Sequence, residues 1–139
     1  MAGVCVLAWL AALSLYDIRD RRLPNWLTLP GAVVIVVSAA ALGHGAAALL
    51  GAVGLFAVYL VVHLLAPRTM GAGDVKLAIG VGALTGPFGI DVWVLAALGA
   101  PLVTALIASV FLIGRHGSAV PHGPSMCVAS AAAIALVMI

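Results

Sequence analysis

Four side chains carry all the negative charge of the 139-residue chain: Asp17, Asp20, Asp74 and Asp91. A carboxylate at the centre of a membrane span costs about 3 kcal/mol, so acidic residues in or beside long apolar runs are rare without a role. Asp17 directly follows the first apolar run, and Asp74 opens the fourth. Brought together, such a pair suits one reaction. Two carboxylates in one site cannot both ionise easily, so they share a proton; the ionised partner can take a proton from water while the protonated one polarises a carbonyl. That is peptide hydrolysis without a metal or a covalent intermediate. The plainer alternative is that each aspartate pairs with a nearby arginine at headgroup level. Asp20, inside a basic stretch, reads as such a partner, and Asp91 as the N-cap of a helix on the opposite side.

Two glycines, Gly71 and Gly73, stand just ahead of Asp74 in Gly71-Ala72-Gly73-Asp74. Glycine permits positive φ and close backbone approach, which an extended substrate strand beside the aspartate would require.

The elements that must position these groups are apolar helices. The chain is 65% apolar and 7% charged, with a mean hydropathy of +1.32. A soluble domain carries roughly 25% charged residues, so this composition cannot coat a water-soluble globule. A formal charge of +2 is too small to indicate nucleic acid. The length suits one domain, residues 1–139, without linker or low-complexity tail. The basic residues Arg19, Arg21 and Arg22 follow the first apolar run rather than precede it, so it reads as a retained span and not a cleaved signal.

Apolar segments fall at approximately 2–16, 26–42, 46–66, 75–84, 92–113 and 125–139. A full span takes about 20 residues, with a range near 17 to 25. The third and fifth qualify outright and the second is adequate. The first, fourth and sixth are short, and are either extended by flanking residues or sheltered inside the bundle. Five spans plus a re-entrant piece is the competing arrangement. With six, all of Arg19, Arg21, Arg22, Arg68, Lys76 and Arg115 land on one side, while Gly43-His44-Gly45 and 86–91 carry no Lys or Arg. The positive-inside rule makes that side cytoplasmic and puts both termini outside. The expectation is a compact all-α bundle of about six transmembrane helices. Its abundant Ala and Gly permit close helix approach, Pro101 bends the fifth span, Pro24 and Pro30 flank the start of the second, and Trp26 anchors at the interface.

The longer stretches around both aspartates carry a resemblance. Tyr16-Asp17-Ile18-Arg19-Asp20-Arg21-Arg22-Leu23-Pro24-Asn25-Trp26-Leu27 resembles the first-aspartate motif of the type IV prepilin peptidase family, in which an aspartate precedes a basic stretch and Leu-Pro-Asn. Gly71-Ala72-Gly73-Asp74-Val75-Lys76-Leu77 resembles the second, G-x-G-D-x-K. Val120-Pro121-His122-Gly123-Pro124 resembles the late P-x-G-P element, where phenylalanine is usual at the position of His122. The three stand in family order and span nearly the whole chain. The resemblance implies an intramembrane aspartic endopeptidase that removes the basic leader of pilin-like precursors at the cytoplasmic face of the cell membrane, with no cofactor. Asp17 and Asp74 would be its catalytic pair, supported by Pro24, Asn25, Gly71, Gly73, Lys76, Pro121, Gly123 and Pro124. Lys76, two residues past Asp74, is not expected to share its helix face.

Larger members carry an N-terminal domain with paired cysteines, associated with methylation of the new N-terminus. The expectation here is a short form, resembling tight-adherence pilus and preflagellin peptidases, that cleaves without methyl transfer. Its substrate would be a precursor with a basic leader and an apolar helix lying in the bilayer. The local arginines are better matched to anionic headgroups, or to acidic substrate residues just past the cut, than to a basic leader.

The other polar groups offer less. Cys5 and Cys127 lie in apolar runs and read as buried small side chains. His44 and His116 read as loop residues, and His63 as a hydrogen-bonded interior histidine. No histidine has metal-ligand spacing, and no metal site is expected. His122 stands apart because it sits inside a matched motif. A signal-peptide-peptidase-like protease would also use Tyr-Asp and G-x-G-D, but its late Pro-Ala-Leu is absent. A non-catalytic assembly factor or proton-conducting subunit would use intramembrane carboxylates equally well, yet has no need of Leu-Pro-Asn or P-x-G-P. The residues leave the oligomeric state open.

Overall fold

Each apolar run forms a helix in the computed structural model, which describes residues 2–114 and 120–139. The elements are α1 (Ala2–Asp20), α2 (Asn25–Ala41), α3 (Gly45–Leu65), α4 (Ala72–Thr85), a 3₁₀ turn (Gly86–Phe88), α5 (Ile90–Ile113) and α6 (Gly123–Met138), with no strand among the described residues. Arg115 and His116 lie outside the described residues.

Two boundaries differ from the apolar pattern. Helix α1 continues through the charged residues to Asp20, so Asp17 sits within its last turns rather than after it. That extension gives α1 19 residues, and with α3 and α5 it is long enough and apolar enough to cross a membrane. At the other discrepancy, Asp91 is not the N-cap of α5. Gly89 takes that place at φ 107, a conformation glycine reaches without strain, and Asp91 falls in the first turn, where it still complements the helix dipole. Pro30 lies inside α2 rather than at its start, whereas Pro24 is the N-cap.

Helix α4 occupies the centre, packed on α2, α3 and α6. Its 14 residues rise only about 21 Å, short of the roughly 30 Å hydrocarbon layer. It is sheltered instead: Leu77, Ala78, Val81 and Ala83 are essentially inaccessible. Glycine makes that central position possible. A Cβ on Gly82 would run into the carbonyl oxygen of Gly51, one on Gly51 into that of Gly82, and one on Gly86 into that of Ala47. The α3 and α4 backbones therefore touch, the approach small residues allow between apolar helices.

Two tryptophans lock the remaining helices to this pair. Trp9 of α1 donates to the Leu27 carbonyl at 2.9 Å, and its indole fills the space over Gly31 and Gly80. Trp93 of α5 donates to the Gly51 carbonyl at 3.0 Å. The outward faces are Val33, Val34 and Val37 on α2 and Leu98, Leu102 and Leu106 on α5, all exposed. Cys127 is buried as expected, but Cys5 is exposed, because the first turns of α1 project beyond their neighbours.

Candidate active site

At one end of the bundle a cleft of about 300 Å³ opens between the α1–α2 connection and the start of α4. It is lined by Asp17, Arg21, Arg22, Leu23, Gly71, Ala72, Gly73, Asp74 and Lys76. Both aspartates thus face one space, although they come from helices far apart in sequence. Asp74 lies within the electrostatic field of Asp17.

Asp17 is buried near the end of α1, and its environment is made by the third motif. The Gly123 amide, the first of α6, donates to Asp17 Oδ2 at 2.9 Å. A Cβ at Gly123 would stand 2.6 Å from that oxygen, so any larger residue would force the carboxylate away. The free amides and positive dipole end of a helix N-terminus favour a negative partner. Pro124 lies in the first turn of α6, where its missing N–H costs nothing. Pro121 lies in the connection before it and does not line the cleft.

The Leu-Pro-Asn element ties the first motif to the second. Arg21 closes α1 at φ 49, its amide bonded to the Asp17 carbonyl at 3.0 Å. Leu23 then turns inward. A Cβ on Gly73 would meet the Leu23 side chain at 3.4 Å. Pro24 caps α2 with its carbonyl, which accepts from the amides of Leu27 and Thr28, both at 3.1 Å. Asn25 Oδ1 accepts from Lys76 Nζ at 2.9 Å. Lys76 therefore does line the same cleft as Asp74: in the first turns of the helix its long side chain reaches across to Asn25.

Neither Gly71 nor Gly73 uses the left-handed region. Gly71 is an extended N-cap at φ −74 and ψ 151, its carbonyl accepting from the Asp74 amide at 3.2 Å. A Cβ at Gly71 would lie 3.6 Å from Asp74 Oδ2 and one at Gly73 3.4 Å from Leu23, both ordinary contacts, so neither positive φ nor a close backbone approach within the chain accounts for the two glycines. The chain matches the family model described as the type IV leader peptidase family over residues 4–139. It belongs to that family. No curated protein and no solved structure matches it.

Around the leader peptidase cleft, the structure adds contacts the sequence did not single out. His63 Nδ1 lies 2.7 Å from the Met70 carbonyl, pinning the connection that delivers Gly71; the histidine is hydrogen-bonded as expected but half-buried in the last turn of α3 rather than interior. His122 bridges two helices: Nε2 is 3.2 Å from the Tyr59 hydroxyl of α3, and Nδ1 is 2.6 Å from Thr104 Oγ1 of α5. Tyr59 and Thr104 were each legible only as single polar groups in apolar helices. Arg21 and Arg22 were seen as cations but not as cleft walls. Asp20 and Asp91 are both exposed and line no part of the cleft. Among the described residues no group of three or more His, Cys, Asp and Glu side chains could hold a metal ion.

Proposed function

We propose that this leader peptidase is an intramembrane aspartic endopeptidase that cuts the basic leader from pilin-like precursors, with Asp17 and Asp74 as its catalytic pair. The observation that carries this reading is the meeting of both carboxylates in one cleft walled by the first two motifs and braced by Gly123 of the third. A pair sharing one proton divides the labour by environment. Asp17, accepting from the Gly123 amide at a helix N-terminus, is the ionised member and removes a proton from the attacking water. Asp74 holds the shared proton and donates it toward the scissile carbonyl oxygen. Water adds to the carbonyl carbon to give a gem-diol; its C–N bond then breaks as the proton gathered by Asp17 passes to the leaving amine and Asp74 takes back a proton from a diol hydroxyl, which becomes the carbonyl of the new carboxylic acid.

The exposed Val and Leu faces of α2 and α5 suit lipid, and three helices are long enough to span it. In the proposed topology the chain changes sides at each of the six helices, short α4 doing so shielded from lipid by α2, α3 and α6; both termini are outside, and the cleft with Arg21, Arg22 and Lys76 faces the cytoplasm. A precursor whose apolar helix lies in the bilayer then presents the end of its leader at the level of the cleft. Methyl transfer to the new N-terminus is not part of the proposed activity.

The test is cleavage of a co-expressed pilin-like precursor, with every variant quantified in the membrane. Asp17→Asn and Asp74→Asn should each lower processing by at least about 100-fold. Gly123→Ala, pressing a methyl group on the Asp17 carboxylate, should lower it by about 10-fold or more. Wild-type processing by either Asn variant would remove that aspartate from the mechanism.

A further inference from the structure

His122 immediately precedes α6, and an imidazole can make up to two hydrogen bonds through its ring nitrogens. Here the imidazole makes two, to different helices. Thr104 Oγ1 also lies 3.1 Å from the Ala100 carbonyl, which can only accept. Thr104 spends its single proton there, so it must accept from His122 Nδ1–H; Nε2 is then the acceptor for the Tyr59 hydroxyl. All three contacts are satisfied by one neutral tautomer. The next residue, Gly123, holds the Asp17 carboxylate, and Tyr59 lies within the electrostatic reach of Asp74.

We propose that His122 is a positioning residue, a neutral clamp that fixes the start of α6 between α3 and α5 so that the Gly123 amide stays on Asp17. This deepens the peptidase reading and rests on Asp17 being catalytic. A phenylalanine could fill the same volume, but only hydrogen bonds fix the rotation and depth of the α6 N-terminus relative to Tyr59 and Thr104. The Gly123 amide keeps Asp17 ionised and aimed at the attacking water, so its displacement changes which aspartate carries the shared proton, and the clamp belongs to the catalytic step and not to substrate binding.

The experiment uses the full chain in lipid nanodiscs and has two readouts. One is kcat and KM on a pilin-like precursor; the other is hydrogen exchange of the Gly123 amide by NMR. His122→Phe should lower kcat by about 10-fold or more with KM within about 2-fold, and speed Gly123 exchange by about 10-fold. Tyr59→Phe and Thr104→Val each remove one bond while leaving His122 in place, and should each lower kcat by about 3- to 10-fold. They keep the test decisive if His122→Phe does not fold. Unchanged Gly123 exchange across the variants overturns the clamp, and faster exchange with wild-type kcat overturns its role in positioning Asp17. Asp17→Asn, assayed in parallel, separates the two levels. Should it still cleave, the catalytic reading fails on its own, and Gly123 exchange alone judges the clamp.

Discussion

Asp17 and Asp74 could be singled out before any fold was known because carboxylates are scarce in this chain and both border apolar runs. What spacing could not supply was their surroundings. Tyr59 and Thr104 come from two helices and His122 from the N-cap of a third, and no periodic pattern links them; only the packing of α3, α5 and α6 brings their polar atoms together. Their meeting has a consequence for pH. His122 precedes α6, and burial pushes its pKa below the ordinary value of 6.5. The folded chain therefore binds fewer protons at this site than the unfolded one, and stability rises with pH. The contribution is complete above 6.5 and is lost as the pH falls through the lower, folded value. Protonation puts a hydrogen on Nε2, so the Tyr59 hydroxyl must turn from donor to acceptor, and the buried charge itself opposes folding. Thermal unfolding in detergent should show an acid-side decline in wild type that is shallower in His122→Phe, each protein compared with itself at pH 7.5. Superimposable profiles would leave His122 without a titrating role in stability.

Six apolar runs became six helices, so element type and number were legible, while their ends were less so. Helix α1 ran on through its charges because Asp17 to Asp20 contain no breaker and Arg21 supplies the left-handed residue that stops it. Helix α4 explains why a segment too short to span belongs at the centre. It reaches its burial by backbone contact with α3, and that contact leaves no room for a methyl group at Gly82. Gly82→Ala should therefore destabilise the bundle by about 1–3 kcal/mol, the range for overpacking a filled core, despite alanine's better helix propensity. Gly3→Ala is the matched control, since nothing lies within 4 Å of the position its Cβ would take. Apparent melting temperatures in one detergent would check the pair. A Gly82→Ala protein as stable as Gly3→Ala would mean that α3 and α4 are not in backbone contact.

At the scale of the whole molecule, charge and packing single out the same end. Arg21, Arg22 and Lys76 line the cleft, and exposed Arg68 lies in the connection leading to α4. The turn holding His44, between α2 and α3, has no cation. Since α3 joins these two connections, the proposed topology puts them on opposite sides of the membrane. Cysteine labelling can read this directly. Cys127 is buried and can stay, while exposed Cys5 must first be replaced by alanine. In that background, His44→Cys should react with an impermeant maleimide added to intact cells. Arg68→Cys should react only after permeabilisation. The reverse pattern would turn the cleft outward and remove the cytoplasmic leader from its reach. Labelling of both from one side would mean that α3, the most apolar of the three long helices, does not cross. Alternation of the remaining helices would then fail with it, since the cleft draws on α1, α4 and α6 from a single end only if α3 carries the chain across.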